Sequence, residues 1–149
     1  MEADLAQSVS GLMYGQLLLA TALGALLGLE RSVIAGKSAG VRTYALVSMG
    51  ACLFFLVASA SATFAIAAGI ITGVGFLGAG LVIKDQADHP HGLTTAAGLW
   101  VSAGIGMAVG MGLLLVATFA TFLTLFVFNA LLFVENRLRK LSHQENSAQ

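Results

Sequence analysis

The sequence predicts an all-α integral membrane protein, a bundle of five transmembrane helices. Three observations predict it. Apolar residues make up 58% of the 149 residues and charged residues only 9%, against about 25% charged in a typical soluble domain. So few charges could not cover a water-exposed surface. The charges also leave three long gaps: none occurs from Leu5 to Leu29, from Thr43 to Ile83, or from Gly92 to Val134. Finally, these gaps of 25, 41 and 43 residues hold one, two and two crossings, since ~20 helical residues span a hydrocarbon core of ~30 Å.

Each span follows from a break in the pattern. The first gap gives span one, 12–29. Ser59, Ala60, Ser61, Ala62 and Thr63 form a small, weakly polar stretch that divides the second gap into spans 43–60 and 64–83. Gly110, Met111 and Gly112 divide the third gap into spans 93–110 and 113–134. The runs are too long for membrane β-strands and lack their alternation. Helices, by contrast, satisfy their own backbone hydrogen bonds, as lipid requires. Residues 1–140 read as one transmembrane domain and 141–149 as a polar cytoplasmic tail. Glu2 and Asp4, with no basic region beside them, argue against a cleavable signal.

The basic residues orient the bundle. Arg31, Lys37 and Arg42 follow span one, Lys84 follows span three, and Arg137, Arg139 and Lys140 follow span five. With five spans all seven lie on one side, a chance of about 1 in 64 for random placement, and positive loops mark the cytoplasm. The N-terminus is therefore expected outside and the C-terminus inside. Seven basic and seven acidic residues cancel, so no basic surface is available for nucleic acid. The single cysteine, Cys52, gives neither a disulfide framework nor a cysteine-rich metal site.

The glycines have a separate purpose. Eighteen are too many for such short loops, and most lie inside spans. Lipid tails offer no hydrophobic drive between helices, so association uses close backbone approach over small residues at every fourth position. Ala20, Gly24 and Gly28 supply this in span one. Gly69, Gly73 and Gly80 share one face of span three, with Gly75 and Gly78 near the opposite one. Span four carries the unbroken series Thr94, Gly98, Ser102, Gly106, Gly110. Two small faces place span three at the centre of the bundle. Phe119, Phe122, Phe126, Phe128 and Phe133 place span five at its lipid-facing edge. Gly73, Gly75 and Gly78 match a nucleotide-binding G-x-G-x-x-G, but that fingerprint needs a preceding strand. Here the run lies mid-membrane.

Candidates for chemistry gather at one end. Glu30 and Arg31 close span one, Arg42 and Thr43 open span two, Lys84 and Asp85 follow span three, and Thr94 and Thr95 open span four. All sit at the expected cytoplasmic face. An acid at a basic rim adds nothing to topology, yet it can pair with a cation where the dielectric is below that of water. A plain rim of solvated charges is the competing reading. Thr94 or Thr95 could cap span four, and a helix start also attracts anions. Asp88, His89 and His91 suit a solvated loop better than a metal site, for want of a third ligand. Trp100 and Asn129 read as packing residues, Asn129 through an interhelical hydrogen bond. Cys52 reads as a small apolar residue. No nucleophile–base pair and no metal triad occurs, so no catalytic residue, metal or cofactor is expected and the chain does not read as an enzyme.

At this point the motifs resemble a known family. Gly28-Leu29-Glu30-Arg31 and Lys37-Ser38-Ala39-Gly40-Val41-Arg42-Thr43 resemble the first signature of the MgtC/SapB family. Gly73-Val74-Gly75-Phe76-Leu77-Gly78-Ala79-Gly80 resembles the second, and Gly92 to Trp100 the third. The likeness runs over roughly 15–135. It implies a five-span, multi-pass protein of the bacterial inner membrane, linked to growth at low magnesium and to virulence. It also implies a regulator of other membrane proteins, such as the F-type ATP synthase. Transport of Mg²⁺ or another small ion is the alternative implication. The chain departs from the founding pattern in three ways: no C-terminal ACT-like domain is present, Tyr44 stands where a histidine is common, and the 84–91 loop is enlarged. Two function classes therefore stand side by side. The first is a non-enzymatic regulator whose partners are the lipid bilayer and other membrane proteins, with a homo-oligomer compatible. The second is a transporter, which the lack of a mid-membrane carboxylate disfavours, since ion pathways use such groups.

Overall fold

A computed structural model describes residues 2–33, 39–58, 63–83 and 92–146, with side chains described at 10–33, 39–58, 65–82 and 92–133. Five helices follow one another: α1 Glu2–Val33, α2 Val41–Val57, α3 Thr63–Ile83, α4 Leu93–Gly110 and α5 Leu114–Asn146. They occur where the charge-free gaps predict spans. No strand is present among the described residues. Four helices contain apolar stretches long enough to cross a membrane: Ser10–Val33, Ala65–Val82, Leu93–Gly110 and Leu114–Phe133. The fifth, α2, has 17 residues, or about 25 Å at 1.5 Å per residue, the short end of the spanning range. The outer helices run past the apolar gaps, and α5 stays helical to Asn146, into the segment read as a polar tail.

Packing places α4, not α3, at the centre. Among the described residues helix α4 touches each of the other four helices, whereas α3 touches only α4 and α2. This corrects the central position expected for span three. The reason lies in what the small faces meet. A Cβ on Gly24 would lie 2.7 Å from the Ser48 Cβ, and one on Gly28 2.6 Å from the Val41 Cα. One on Gly110 would lie 3.1 Å from the Cys52 carbonyl oxygen, and one on Gly106 would strike the Ser48 backbone. The glycines of α1 and α4 thus let both helices press against α2. In α3 only Gly78 has a neighbour, Ala96 of α4, while Gly69, Gly73, Gly75 and Gly80 have nothing within 4 Å of a Cβ position. Small-residue periodicity shows that a face is small, not which helix covers it. Beside these glycines an apolar groove of about 770 Å³ runs between α2 and α3.

The remaining elements fit the edge reading with one exception. Phe119, Phe122, Phe126 and Phe133 of α5 are exposed, but Phe128 is buried. Trp100, expected to pack, is half-exposed on the outside of α4. Asn129 donates to Leu125 O at 2.8 Å within its own helix, and among the described residues it makes no interhelical bond. Cys52 is fully buried against the glycine side of α4. At the end away from Arg31, Gln16 of α1 donates to Val109 O of α4 at 2.7 Å. That bond adds a second donor to a carbonyl in the last turn of α4 that also accepts from the Gly112 N–H at 2.9 Å.

Candidate functional site

Four helices meet where α1 ends and α2 and α4 begin. Gly40 and Val41 lie against Gly28, so α2 starts within backbone contact of α1. The Val41 N–H donates to Ser32 Oγ at 3.3 Å, closing that corner. Gly92 precedes α4 with φ +98°, a left-handed conformation that glycine adopts without the Cβ penalty. The turn seats it beside Leu81 near the end of α3. The sequence-level reading of Thr94 or Thr95 as a cap is therefore corrected: Gly92 holds the cap position and supplies no side-chain bond.

Into this corner α1 carries two charges. Glu30 is only 6% exposed and Arg31 only 5%. Neither is the solvated rim charge of the plain reading. Arg31 Nη2 donates to Thr95 Oγ1 at 3.1 Å, and the guanidinium carbon lies 4.8 Å from the centre of the Phe128 ring. A cation over an aromatic face gains about 0.5–1 kcal/mol at exposed sites and more when desolvated. The Tyr44 hydroxyl donates to the Thr95 carbonyl at 3.1 Å, and Ser102 Oγ donates to the Tyr44 carbonyl at 3.0 Å. Gly98 makes room for this arrangement, since a Cβ there would collide with both Tyr44 and Phe128. A connected polar line thus runs from Arg31 through Thr95 and Tyr44 to Ser102, along the seam of α1, α2 and α4.

Some groups in that seam lack partners. Both carboxylate oxygens of Glu30, the Arg31 Nε and the Ser48 Oγ are buried without a hydrogen bond. A buried unpaired polar group costs about 1–3 kcal/mol, and a charged one more. Neighbouring residues on a helix point about 100° apart and do not face each other, which keeps Glu30 from bonding Arg31 directly.

The structure separates the residues singled out from the sequence. It brings Glu30, Arg31 and Thr95 together in the buried corner. Arg42 and Thr43 are exposed in the first turn of α2 and Thr94 in that of α4, at the rim of the same end. Lys84 and Asp85 lie outside the described residues, as do His89 and His91. Three contributors went unread as site residues. Phe128 was counted among the lipid-facing aromatics, Tyr44 only as a departure from a family pattern, and Ser102 only as a small residue. Spacing could have pointed to Tyr44 and Ser102, because polar residues inside apolar spans face protein. Nothing local distinguishes Phe128 from the other phenylalanines of α5. Among the described residues no group of three His, Cys, Asp or Glu is placed to hold a metal ion.

Comparison with known proteins decides the family. The MgtC family model matches residues 17–137, most of the chain, from within α1 to within α5. The chain belongs to the MgtC family. It is similar to Protein SrpB of Synechococcus elongatus, at 41% identity over 136 residues covering 78% of this chain and 74% of SrpB. It is 46% identical over 89 residues to Protein MgtC of Salmonella typhimurium, covering 58% of this chain and 38% of that protein. Protein MgtC of Brucella abortus is 44% identical over 114 residues, covering 74% of this chain and 47% of that protein. The matching part thus spans less than half the length of these two MgtC proteins. No solved structure matches. Apolar helices and family membership together make the chain a multi-pass protein of the bacterial inner membrane. The family is not a known family of enzymes.

Proposed function

We propose that this protein is a non-enzymatic membrane regulator that acts on other membrane proteins through the end of the bundle holding Glu30, Arg31 and Thr95. The MgtC likeness connects this reading with growth at low magnesium and with virulence, and the F-type ATP synthase is one such target. That end faces the cytoplasm in this reading, supported by the clustering of basic residues there. The observation that carries it is the buried Glu30–Arg31 corner. Two adjacent charges sit inside the bundle with Glu30 Oε1, Oε2 and Arg31 Nε unpartnered. Folding alone gives no reason to keep them, since ionisable groups inside membrane bundles are expensive and mark function by default.

The rest of the seam supports regulation over transport. Arg31, Thr95, Tyr44 and Ser102 are tied by hydrogen bonds across the helices, and Gly24, Gly98, Gly106 and Gly110 close the helices to backbone contact. Selective passage of an ion needs a lined path of carbonyl, carboxylate or water ligands. A hydrated Mg²⁺ also gives up its water reluctantly. The seam presents a tied, close-packed interior instead.

The test uses a strain whose growth in low magnesium depends on this chain. Glu30→Gln, which keeps shape and removes charge, is expected to abolish growth while membrane abundance stays at the wild-type level. Arg42→Ala, at the exposed rim, should weaken growth with abundance unchanged. Normal growth of Glu30→Gln would return the charges to a plain structural role. Loss of growth that merely follows loss of protein would do the same.

A further inference from the structure

The hydrogen bonding around Arg31 is incomplete, and the fold does not complete it. The bond from Nη2 to Thr95 Oγ1 holds the guanidinium at the first turn of α4. A helix start carries unpaired N–H groups and roughly half a positive charge, so it disfavours a cation. Gly92 supplies no side-chain acceptor there. Helix α2 begins at the same end, also with no side-chain cap at Gly40, and carries Arg42 in its first turn. Arg31 therefore meets the start of α4, with the start of α2, whose Val41 N–H is taken by Ser32 Oγ, at the same end. There the Arg31 Nε is buried and unpartnered, although the residue is 95% buried by its 5% exposure. That donor calls for an anionic acceptor.

Glu30 sets the chemistry of that acceptor. Its two oxygens are buried and unpartnered in the same corner. The corner thus holds an unused donor, the Arg31 Nε, at a helix start whose first N–H groups have no intrahelical acceptor, beside unused acceptors, the Glu30 oxygens. A fully ionised anion would satisfy the donors and be repelled by the carboxylate. An oxyanion that keeps one proton satisfies both: its charged oxygens accept from Arg31 and α4, and its O–H donates to Glu30. Helix starts with an arginine are ready-made phosphate sites. We propose that the Glu30–Arg31–Thr95 corner binds a monoprotonated phosphate group, from inorganic phosphate or from a lipid phosphomonoester headgroup. Sulfate and phosphodiesters lack that proton at neutral pH and are excluded by Glu30. The inference rests on the reading of this corner as the working part of the protein, and it names the ligand.

The test uses the full chain in nanodiscs of phosphatidylcholine. Inorganic phosphate and sulfate are titrated separately at matched ionic strength. In a second arm the discs carry phosphatidic acid and the buffer no phosphate, and retained lipid is read by native mass spectrometry. Saturable phosphate binding, or selective retention of phosphatidic acid, is expected, and the arm that responds identifies the source. Sulfate should bind at least about tenfold more weakly. Glu30→Gln should bring sulfate and phosphate to similar affinity, and Thr95→Val should weaken phosphate binding about tenfold. Both variants are near-isosteric and retain Arg31, and Thr95→Val removes the acceptor that holds its guanidinium. Failure of both arms overturns the proposal, as do equal binding of sulfate by the wild type and unchanged selectivity in Glu30→Gln. Failed binding alongside a growth defect in Glu30→Gln would sink the ligand alone. Phosphate binding without such a defect would sink the regulatory reading alone.

Discussion

Gly106→Ala is expected to lower the melting temperature of the purified protein sharply, although it adds a single methyl group. A Cβ at this position would strike the Ser48 carbonyl oxygen and lie 2.7 Å from its carbonyl carbon and 2.9 Å from its Cα. The obstacle is backbone rather than the flexible end of a side chain, so α4 and α2 must separate. The Tyr44–Ser102 and Tyr44–Thr95 bonds, which tie the same two helices, would lengthen with them. Overpacking of this kind costs typically about 1–3 kcal/mol and occasionally more. The control is Gly104→Ala on the same helix, where nothing lies within 4 Å of the new Cβ. It should be neutral or gain up to about 1 kcal/mol, because alanine is the better helix former. Unfolding both variants in one detergent gives the comparison. Equal melting would mean that the α2–α4 contact is not the tight one described.

The second large effect is electrostatic. Arg31→Met removes the guanidinium that bonds Thr95 and lies over Phe128, and it leaves the Glu30 carboxylate buried without the Arg31 charge beside it. Removing one member of a buried set of charges costs about 3–5 kcal/mol, chiefly because the other charge is left uncompensated. Glu30→Gln combined with Arg31→Met should therefore be more stable than Arg31→Met alone. A double-mutant cycle measures this coupling. Additive effects of the two substitutions would show that the charges do not sense each other. Arg31→Lys should recover little. An ammonium lacks the planar guanidinium that donates to Thr95 while lying over a ring.

Much of this fold was legible in the positions where charge is missing. Asp, Glu, Lys and Arg cannot sit cheaply in hydrocarbon, so their gaps trace the helices almost directly. The alternation of loops then puts the ends of α1 and α3 with the starts of α2 and α4. The glycine series of α4 was legible for a related reason: only close approach explains a small residue at each fourth position through Gly110. The central position assigned to α3 was not sound, because Gly69, Gly73 and Gly80 report the shape of a face and nothing about its neighbour. Trp100 and Asn129 failed likewise, as aromatic bulk and an amide suit a lipid-facing surface or an intrahelical bond as well as an interface.

The site was half legible. Glu30 stood out because an acid among topogenic cations needs its own explanation, and Thr95 because it opens a helix at the same end. What could not be read was the depth of burial. Span one ends near Glu30 in hydropathy, but α1 continues to Val33, which folds both charges into the bundle instead of leaving them at the rim. Phe128, 97 residues from Arg31 in the chain, becomes its neighbour only through the way α5 crosses α4. Pairings at such separation are set by tertiary packing, which local pattern does not encode.

The central claim is that the charged corner serves recognition and not conduction. Its most direct test is Mg²⁺ flux into liposomes that carry the purified protein and an internal Mg²⁺-sensitive dye, with and without an imposed membrane potential. A closed seam predicts uptake equal to that of protein-free liposomes, for the wild type and for Glu30→Gln alike. Saturable uptake by the wild type that Glu30→Gln abolishes would contradict the account and make the corner part of an ion path.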